Sequence, residues 1–193
     1  MLPALILAAG ASTRMGSPKA LLKIGGKTFV RHIVDVLGAA GIVDIVIVLG
    51  AEAGQIKDSL DWFDGKIVVN KDWKKGQLTS LVAGLGSIDR RDLHGVLICP
   101  VDHPLFAPQV IRGMCEAAET SPHKIIIPVF KERRGHPVIF PASLIEVLKR
   151  ASPEIGARQV VRDHPDEVLE FVTEDEGVVR NIDTPEDYGA FMG

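Results

Sequence analysis

The feature that most constrains the fold is an alternation, over the first hundred residues, of short apolar runs with amphipathic helical patterns. Apolar runs occupy residues 4–8, 44–49, 67–69 and 95–99, and helical patterns lie between them at 29–37, 55–60 and 78–85. Strands that are apolar on both faces and joined by helices are typical of a parallel sheet covered on both sides. The sequence therefore predicts an α/β fold with helices on each face of a central sheet.

The second half of the chain departs from this alternation. A strand pattern at 124–129 is followed by a charged turn at 131–135 and an apolar run at 136–140, which together indicate a hairpin. Two late strands are predicted at 168–172 and 178–182, and Thr184 and Pro185 mark the start of the last helix. We expect a single-domain, Rossmann-like three-layer α/β sandwich whose central sheet is mostly parallel, with a small antiparallel hairpin region.

Composition excludes several functional classes. The 193 residues include 22 Lys and Arg against 25 Asp and Glu, a formal net charge of −3, whereas a general nucleic-acid binder carries a basic excess. The first apolar run is too short to cross a bilayer, which takes about 20 residues. Cys99 and Cys115 form no C-x-x-C pair and suit a reducing compartment. We expect a cytoplasmic protein without a nucleic-acid or membrane partner.

A glycine-rich loop with two cations follows the first apolar run. Gly10 and Gly16 allow backbone N–H groups to approach an anion closely, while Arg14 and Lys19 can neutralise phosphate oxygens. The spacing is neither G-x-G-x-x-G nor a Walker A motif. Ligands of open α/β sheets bind beyond the carboxyl ends of the strands. The pattern therefore favours a phosphate-binding loop over a plain turn with two solvated cations.

Two aspartates that follow later strands are candidate metal ligands. Asp102 comes after the fourth apolar run, and Asp183 lies directly before the cap of the last helix. Each alone could be a turn residue. Beside a phosphate-binding loop, they supply the one or two carboxylates that Mg²⁺ takes in sites completed by substrate phosphates and waters. We predict Mg²⁺ at Asp102 and Asp183.

Two further loops carry polar side chains that could contact substrates. Asn70, Gln77 and Ser80 lie between a strand and a helix and can hydrogen-bond a base edge or a ribose, although a simple capped helix would also explain them. Arg134 and His136 lie in the charged hairpin, which could meet a second, anionic substrate or could simply be solvated.

These motifs together resemble those of a known enzyme family. The first loop is similar to the signature of nucleotidyltransferases with a GT-A-like fold. The later motifs, in their order, resemble those of the molybdenum cofactor cytidylyltransferases, and the resemblance extends over essentially the whole chain. The motifs are Leu7-Ala8-Ala9-Gly10-x-Ser12-x-Arg14-Met15-Gly16-x-x-Lys19, Asn70-x-x-Trp73-x-x-Gly76 with Ser80-Leu81, Asp102-x-Pro104, Gly135-His136-Pro137, Gly156-Ala157-Arg158 and residues 181–187.

The resemblance implies transfer of CMP from CTP to the terminal phosphate of molybdopterin, with Mg²⁺ as cofactor and pyrophosphate as the second product. It implies transient contact with a molybdenum hydroxylase that receives the product. Residues 1–104 would be the nucleotide-binding part of a single domain, 1–193, and residues 105–193 the acceptor-side part.

The resemblance also assigns roles to individual residues. The nucleotide would contact Leu7, Ala8, Ala9, Gly10, Arg14, Lys19, Asn70, Ser80 and Asp102. The catalytic residues would be Lys19, Arg14 and Asp102, the metal ligands Asp102 and Asp183, and the acceptor-binding residues His136 and Arg134.

Different residues bear on the identity of the nucleotide and on the identity of the acceptor. Ala9 favours the cytidylyl branch, because the related guanylyltransferases typically have glycine there. His103 and the residues before Gly156 depart from the family pattern, which leaves the acceptor open. Three alternatives therefore remain: a sugar- or polyol-phosphate nucleotidyltransferase, a non-catalytic molybdopterin-binding maturation chaperone, and a nucleotide- or flavin-dependent oxidoreductase on the same scaffold.

Overall fold

The structure, a computed structural model, describes residues 1–88, 92–153 and 155–192. The strands are β1 (Ala4–Ala8), β2 (Lys23–Ile24), β3 (Lys27–Thr28), β4 (Ile45–Leu49), β5 (Lys66–Val69), β6 (Gly95–Pro100), β7 (Ile125–Phe130), β8 (Arg133–Arg134), β9 (Val138–Pro141) and β10 (Val168–Val172). The α-helices are α1 (Phe29–Ala39), α2 (Ala53–Asp58), α3 (Gln77–Ser87), α4 (Pro108–Thr120), α5 (Ile145–Arg150), α6 (Ala157–Asp163) and α7 (Pro185–Met192). Among these described helices, none has the length and apolar composition that crossing a membrane requires.

The described strands form one sheet of eight and a separate hairpin of β2 and β3. The order in the large sheet is β10-β7-β9-β6-β1-β4-β5, with β8 paired to β7. β1 is parallel to β4 and β6, and β5 and β10 are parallel to their neighbours. β9 is antiparallel to β6 and β7, and β8 is antiparallel to β7. The sheet is thus mostly parallel, with the antiparallel region at the predicted hairpin.

The hydrophobic core lies on both faces of this sheet. Alternate residues of β1 point to opposite faces, so Ile6 packs in a cluster with α1, α2 and α4, whereas Leu5 packs in a cluster with α3, α5 and α6. Ile33 of α1 and Leu148 of α5 are fully buried on the two sides. Helices on both faces of one sheet make the predicted three-layer α/β sandwich.

The predicted strand at 178–182 is wrong. A short 3₁₀ helix occupies Glu176–Val179, and the described residues between it and α7 form no strand. The carboxylate of Asp175 accepts hydrogen bonds from the N–H groups of Gly177 and Ala107, each at 2.8 Å, and thereby holds this segment against the loop before α4. The apolar residues that suggested a strand, Val178 and Val179, lie in this turn instead, and their side chains are buried.

The parallel strands direct four loops to one edge of the sheet. The order β6-β1-β4-β5 places the loop that contains Asp102 next to the loop that contains Lys19, followed by the loop at Gly50 and then the loop at Asn70. Because parallel strands end at the same edge, residues that are far apart in the sequence meet there.

Candidate active site at the carboxyl edge of the sheet

A cavity of about 320 Å³ lies at this edge of the sheet. It is lined by residues of β1 and the loop after it, of the loops after β5 and β6, of α2 and α3, and of the segment before α7. The lining residues are Leu7, Ala8, Ala9, Gly10, Ser12, Thr13, Arg14, Pro18, Lys19, Ala20, Ile56, Trp73, Gln77, Ser80, Val101, Asp102 and Asp183. Most of the residues predicted to bind the nucleotide and the metal therefore surround one cavity.

The loop after β1 is held in shape by Ser12. Its backbone has a positive φ of 51°, its carbonyl accepts a hydrogen bond from Met15 N–H at 2.9 Å, and its hydroxyl accepts one from Lys19 N–H at 3.0 Å. Gly16 also has a positive φ, 69°, a conformation that side chains rarely adopt. The loop thus closes on itself, and the closing bond fixes the backbone that carries Lys19.

Lys19 lies beside both aspartates at the cavity, and Arg14 lies beside one of them. The Lys19 ammonium forms an ion pair with Asp183 and lies 3.6 Å from Asp102 Oδ2, and Arg14 Nη2 lies 3.7 Å from Asp183 Oδ2. The Lys19 side chain is only 13% exposed, whereas that of Arg14 is 69% exposed. The hydrogen bond from Lys19 holds the pKa of the Asp183 carboxyl below its usual range, against the opposing effect of partial burial.

Backbone contacts join the loop after β6 to the segment before α7. The carbonyl of Asp102 accepts a hydrogen bond from Ile182 N–H at 2.8 Å. On the other side of Asp183, the carboxylate of Asp187 accepts the N–H groups of Asp183 and Thr184, each at 2.9 Å. Thr184 in turn accepts the Asp187 N–H at 3.2 Å, as expected of the predicted cap of α7. Two carboxylates from distant parts of the chain are thus fixed beside one ammonium.

The two carboxylates fit a phosphate-bound Mg²⁺ ion. Mg²⁺ requires hard oxygen ligands and usually takes one or two carboxylates together with phosphates and waters. In the described part of the chain, no group of three or more His, Cys, Asp or Glu side chains could hold a metal by itself. Asp102 and Asp183 therefore suit an ion that is brought with a polyphosphate, rather than one caged by the protein alone.

Asn70 and Ser80 have different positions relative to the cavity. Asn70 is buried and is not among the lining residues; its amide donates to the hydroxyls of Thr79 (2.9 Å) and Ser80 (3.0 Å), and its oxygen accepts Asp72 N–H (2.9 Å). Ser80 lines the cavity. The structure thus places Asn70 behind Ser80, where it connects the start of α3 to the preceding loop.

The residues predicted to bind the acceptor lie outside the cavity lining. The His136 ring packs against His103 with 4.7 Å between ring centroids, and its backbone N–H donates to Val178 O at 2.8 Å. Burial above all, together with the nearby His103 and Arg158, lowers the pKa of His136 to about 3. Arg134 is paired with Glu170 of β10 at 2.8 Å. Their acceptor role stays a prediction.

Ser12 and Trp73 line the cavity although neither was given a role from the sequence, whereas Gln77 was predicted to be able to hydrogen-bond a base edge or a ribose. Ser12 belongs to the quoted loop motif, but its contact with Lys19 cannot be read from spacing. Trp73 lines the cavity from the loop before α3, and Gln77 lines it from the first residue of that helix. The sequence signals for this wall of the cavity were the motif Asn70-x-x-Trp73-x-x-Gly76 and the polar residues Gln77 and Ser80.

Comparison with known proteins identifies the family. The sequence pattern of the MobA-like NTP transferase domain matches residues 4–168. The chain belongs to the MobA-like NTP transferase family. Molybdenum cofactor guanylyltransferase from Rhizobium meliloti (strain 1021) is 29% identical over 177 residues, which cover 88% of this chain and 78% of that protein. Nicotine blue oxidoreductase from Paenarthrobacter nicotinovorans is 31% identical over 190 residues, which cover 94% of this chain and 91% of that protein.

Solved structures agree with the MobA-like assignment. Rv0371c from Mycobacterium tuberculosis superposes with a TM-score of 0.87 at 25% identity, covering 99% of this chain and 97% of that one. A structure of Rv0371c in complex with manganese superposes with a TM-score of 0.82 at 24% identity, covering 98% and 96% of the two chains. The family and the fold confirm the predicted resemblance, and this MobA-like protein is a nucleotidyltransferase.

Proposed function

We propose that this MobA-like transferase transfers CMP from CTP to the terminal phosphate of molybdopterin and releases pyrophosphate. The observation that carries the proposal is the cluster of Lys19, Arg14, Asp102 and Asp183 around one cavity at the carboxyl edge of the sheet. A relative named as a molybdenum cofactor guanylyltransferase supports the acceptor, and Ala9 supports cytosine over guanine.

In the proposed reaction, an oxygen of the acceptor phosphate attacks the α-phosphorus of CTP. The new bond joins that oxygen to the α-phosphorus, and the bond from the α-phosphorus to the bridging oxygen of the β-phosphate breaks, so pyrophosphate leaves with the electron pair. The attacking phosphate is already an anion at neutral pH, and no general base is needed. Catalysis then consists of positioning and of neutralising charge in the transition state.

The residues of the cavity divide this task. Lys19 binds the α-phosphate and neutralises the charge that develops on the leaving pyrophosphate, and Arg14 holds the outer phosphates. Asp102 and Asp183 would hold Mg²⁺, which when bound neutralises phosphate charge and orients the triphosphate. The manganese held by Rv0371c supports a divalent ion in this fold. The backbone of Leu7, Ala8, Ala9 and Gly10, together with Ser80, would read the base, while Asn70 orients Ser80.

In the proposal, residues 1–104 bind the nucleotide and residues 105–193 bind the acceptor. The nucleotide lies on the first part and the acceptor approaches from the second, past His136 and Arg134. Asp183 belongs to residues 105–193 but also contributes to the triphosphate-binding centre, because it pairs with Lys19 and Arg14. Location in the cytoplasm and delivery of the product to a molybdenum hydroxylase complete the proposal. The first rests on the cysteine pattern, and the second rests on the family resemblance alone.

The test is pyrophosphate release with Mg²⁺ and molybdopterin, comparing CTP, GTP, ATP and UTP. We expect release that needs molybdopterin and is fastest with CTP, and a product whose mass equals molybdopterin plus CMP. Lys19→Ala should reduce the rate by orders of magnitude, whereas Ser17→Ala, an exposed change in the same loop, should not. Faster release with GTP would overturn the choice of nucleotide, and release only with sugar or polyol phosphates would overturn the acceptor.

The relative named nicotine blue oxidoreductase favours one second candidate. Its similarity extends over 94% of this chain, so a redox activity on the same scaffold is an alternative to nucleotidyl transfer. Oxidation of NADH or NADPH in the presence of a quinone-like dye, with no pyrophosphate released from any nucleotide, would support that alternative and overturn the transferase proposal.

A further inference from the structure

One wall of the cavity has no role in the proposed chemistry. Trp73 belongs to a short 3₁₀ helix, Trp73–Lys75, between β5 and α3, and its side chain is half-buried and lines the cavity. Among the described residues, its ring makes a cation–π contact with Lys74, whose ammonium lies 5.5 Å from the ring centroid. An aromatic ring in the wall of a cavity suits a planar ligand group that can stack on it.

The order of the strands places Trp73 and Asp102 at opposite ends of the site. Asp102 follows β6 and Trp73 follows β5, and β1 and β4 lie between these strands. Three strand spacings separate the two loops, which is roughly 14 Å along the edge of the sheet. A nucleoside triphosphate whose phosphates meet Lys19, between those two positions, extends its base toward the loops after β4 and β5.

Gly50, at the end of β4, fixes the position of this wall. A Cβ atom on Gly50 would lie 2.6 Å from Ala9 O, 2.7 Å from Trp73 Cβ and 2.8 Å from Ala9 Cβ. The next residue, Ala51, donates its N–H to Ala9 O at 3.0 Å. The backbone of Gly50 is therefore packed between the first loop and Trp73, and any side chain there would push the two apart.

The hydrogen bonds of Asn70 hold the loop between β5 and α3 that contains Trp73. Asn70 accepts the N–H of Asp72 and donates to Thr79 and Ser80, so the segment that carries Trp73 is fastened at both ends. The wall is thus preformed, which reduces the entropy that would be lost when a ligand orders it.

We infer that Trp73 is the base-contacting wall of the site, with its indole against the face of the nucleobase, and that Gly50 is the positioning residue that seats it beside Ala9. The inference rests on the proposed function only in so far as a nucleoside triphosphate occupies the cavity with its phosphates at Lys19. It adds the base-dependent part of the binding: Trp73 distinguishes a nucleotide from a bare polyphosphate.

The test compares two ligands that differ in the base. Binding of CTP and of inorganic pyrophosphate, each with Mg²⁺, is measured by calorimetry on the wild type and on Trp73→Ala and Trp73→Phe. Stacking of a base on an aromatic side chain gives an expected loss of roughly 10- to 100-fold in CTP affinity for Trp73→Ala. Pyrophosphate affinity should stay within about twofold, and Trp73→Phe should retain most of the CTP affinity.

Trp62 and Gly54 provide matched controls. Trp62 packs with Phe63 and Arg31 outside the cavity lining, so Trp62→Phe should bind CTP normally and leaves Trp73 as the single tryptophan, whose fluorescence should change when CTP binds. Gly50→Ala should weaken CTP binding more than pyrophosphate binding, whereas Gly54→Ala, where a Cβ meets nothing within 4 Å, should change neither.

The outcomes separate this inference from the proposed function. Equal losses for CTP and pyrophosphate in Trp73→Ala, or no loss for CTP, would overturn the role of Trp73. Normal binding with no transfer to molybdopterin would overturn the proposed function alone, since the binding test needs neither acceptor nor turnover. A wild type that binds none of the four nucleoside triphosphates would overturn both.

Discussion

Lys19 and Asp183 form an ion pair across the cavity although they lie 164 positions apart in the sequence. The same ammonium lies 3.6 Å from Asp102. In the proposed mechanism, the cation assigned to the phosphates and the two carboxylates assigned to the metal therefore pair with one another in the free protein. Binding of a metal–nucleotide complex must exchange these ion pairs for new ones, the carboxylates turning to the metal and Lys19 to the phosphates.

This exchange predicts opposite effects of one substitution on metal binding and on turnover. Lys19→Met leaves Asp102 and Asp183 without their shared cation, so Mn²⁺ in the absence of nucleotide should bind at least roughly fivefold more tightly. A unit charge at about 4 Å is worth on the order of 1 kcal/mol even with the dielectric constant of water. Turnover should nevertheless fall by orders of magnitude. Titration of free Mn²⁺ by electron paramagnetic resonance measures the first effect and pyrophosphate release the second.

The control for this prediction is Lys23→Met, which removes an exposed lysine outside the cavity lining. It should change neither Mn²⁺ affinity nor turnover. Weaker Mn²⁺ binding in Lys19→Met would contradict the prediction, because it would mean that the carboxylates do not form the metal site.

Ser12 is predicted to act on the reaction through Lys19. Ser12→Ala removes the hydroxyl that accepts the Lys19 N–H, and the loop from 12 to 19 loses its closing bond. A shift of about 1 Å in a catalytic group can cost on the order of 100-fold, so kcat should fall roughly 10- to 100-fold with a smaller change in KM. Steady-state kinetics checks this against Ser17→Ala. A loss confined to KM would show instead that Ser12 only contacts the nucleotide.

The fold follows from the sequence because its signals are local. Each apolar run of the first hundred residues requires burial on both faces, and helices between parallel strands supply that burial. The charged turn before His136 indicates the antiparallel return of β9. The segment at 178–182 misleads for a physical reason. Val178 and Val179 are buried in a 3₁₀ turn, and the hydrogen bond from Ala107 N–H to the Asp175 carboxylate that holds this turn joins residues 68 positions apart in the sequence.

The candidate site also has a part that the sequence predicts and a part that it does not. Lys19, Arg14 and Asp102 follow strands whose shared edge the topology determines, and they meet as expected. The direct contact of Lys19 with Asp183 depends on the bond between Ile182 N–H and Asp102 O, which no spacing reveals. The partial burial of His136 depends on its packing with His103 and the 3₁₀ segment, so this residue of the predicted hairpin is half-buried.

Asn70 is predicted to support the site by stabilising the loop. Asn70→Ala removes three hydrogen bonds and leaves the buried Ser80 hydroxyl without its donor. The expected loss is about 2–3 kcal/mol in the free energy of unfolding, measured by urea denaturation, together with weaker CTP binding because Trp73 loses its support. Gln159→Ala, which removes an exposed side-chain bond, should cost less than about 0.5 kcal/mol. Unchanged stability in Asn70→Ala would place the amide in contact with substrate instead.

His136 is predicted to make the protein less stable in mild acid. Burial lowers the pKa of His136 to about 3 in the folded state, below the usual 6.5, so between these values the unfolded chain binds a proton that the folded chain does not. Stability therefore falls as the pH drops below about 6.5, by up to about 1.4 kcal/mol per pH unit for this group. The pKa of the neighbouring His103 is also lowered, mainly by burial.

His136→Phe isolates this effect. The ring of His136 makes no side-chain hydrogen bond in the described residues and its Nδ1 is buried, so a phenyl ring keeps the packing against His103 and removes the titration. Urea denaturation should give similar unfolding free energies for the two proteins at pH 8, but at pH 5 the variant should be more stable than the wild type by about 1–2 kcal/mol. His123→Gln, at an exposed histidine, should follow the wild type at both pH values. Parallel losses in the wild type and His136→Phe would mean that His136 does not resist protonation, and that its burial contributes nothing to the acid sensitivity of the fold.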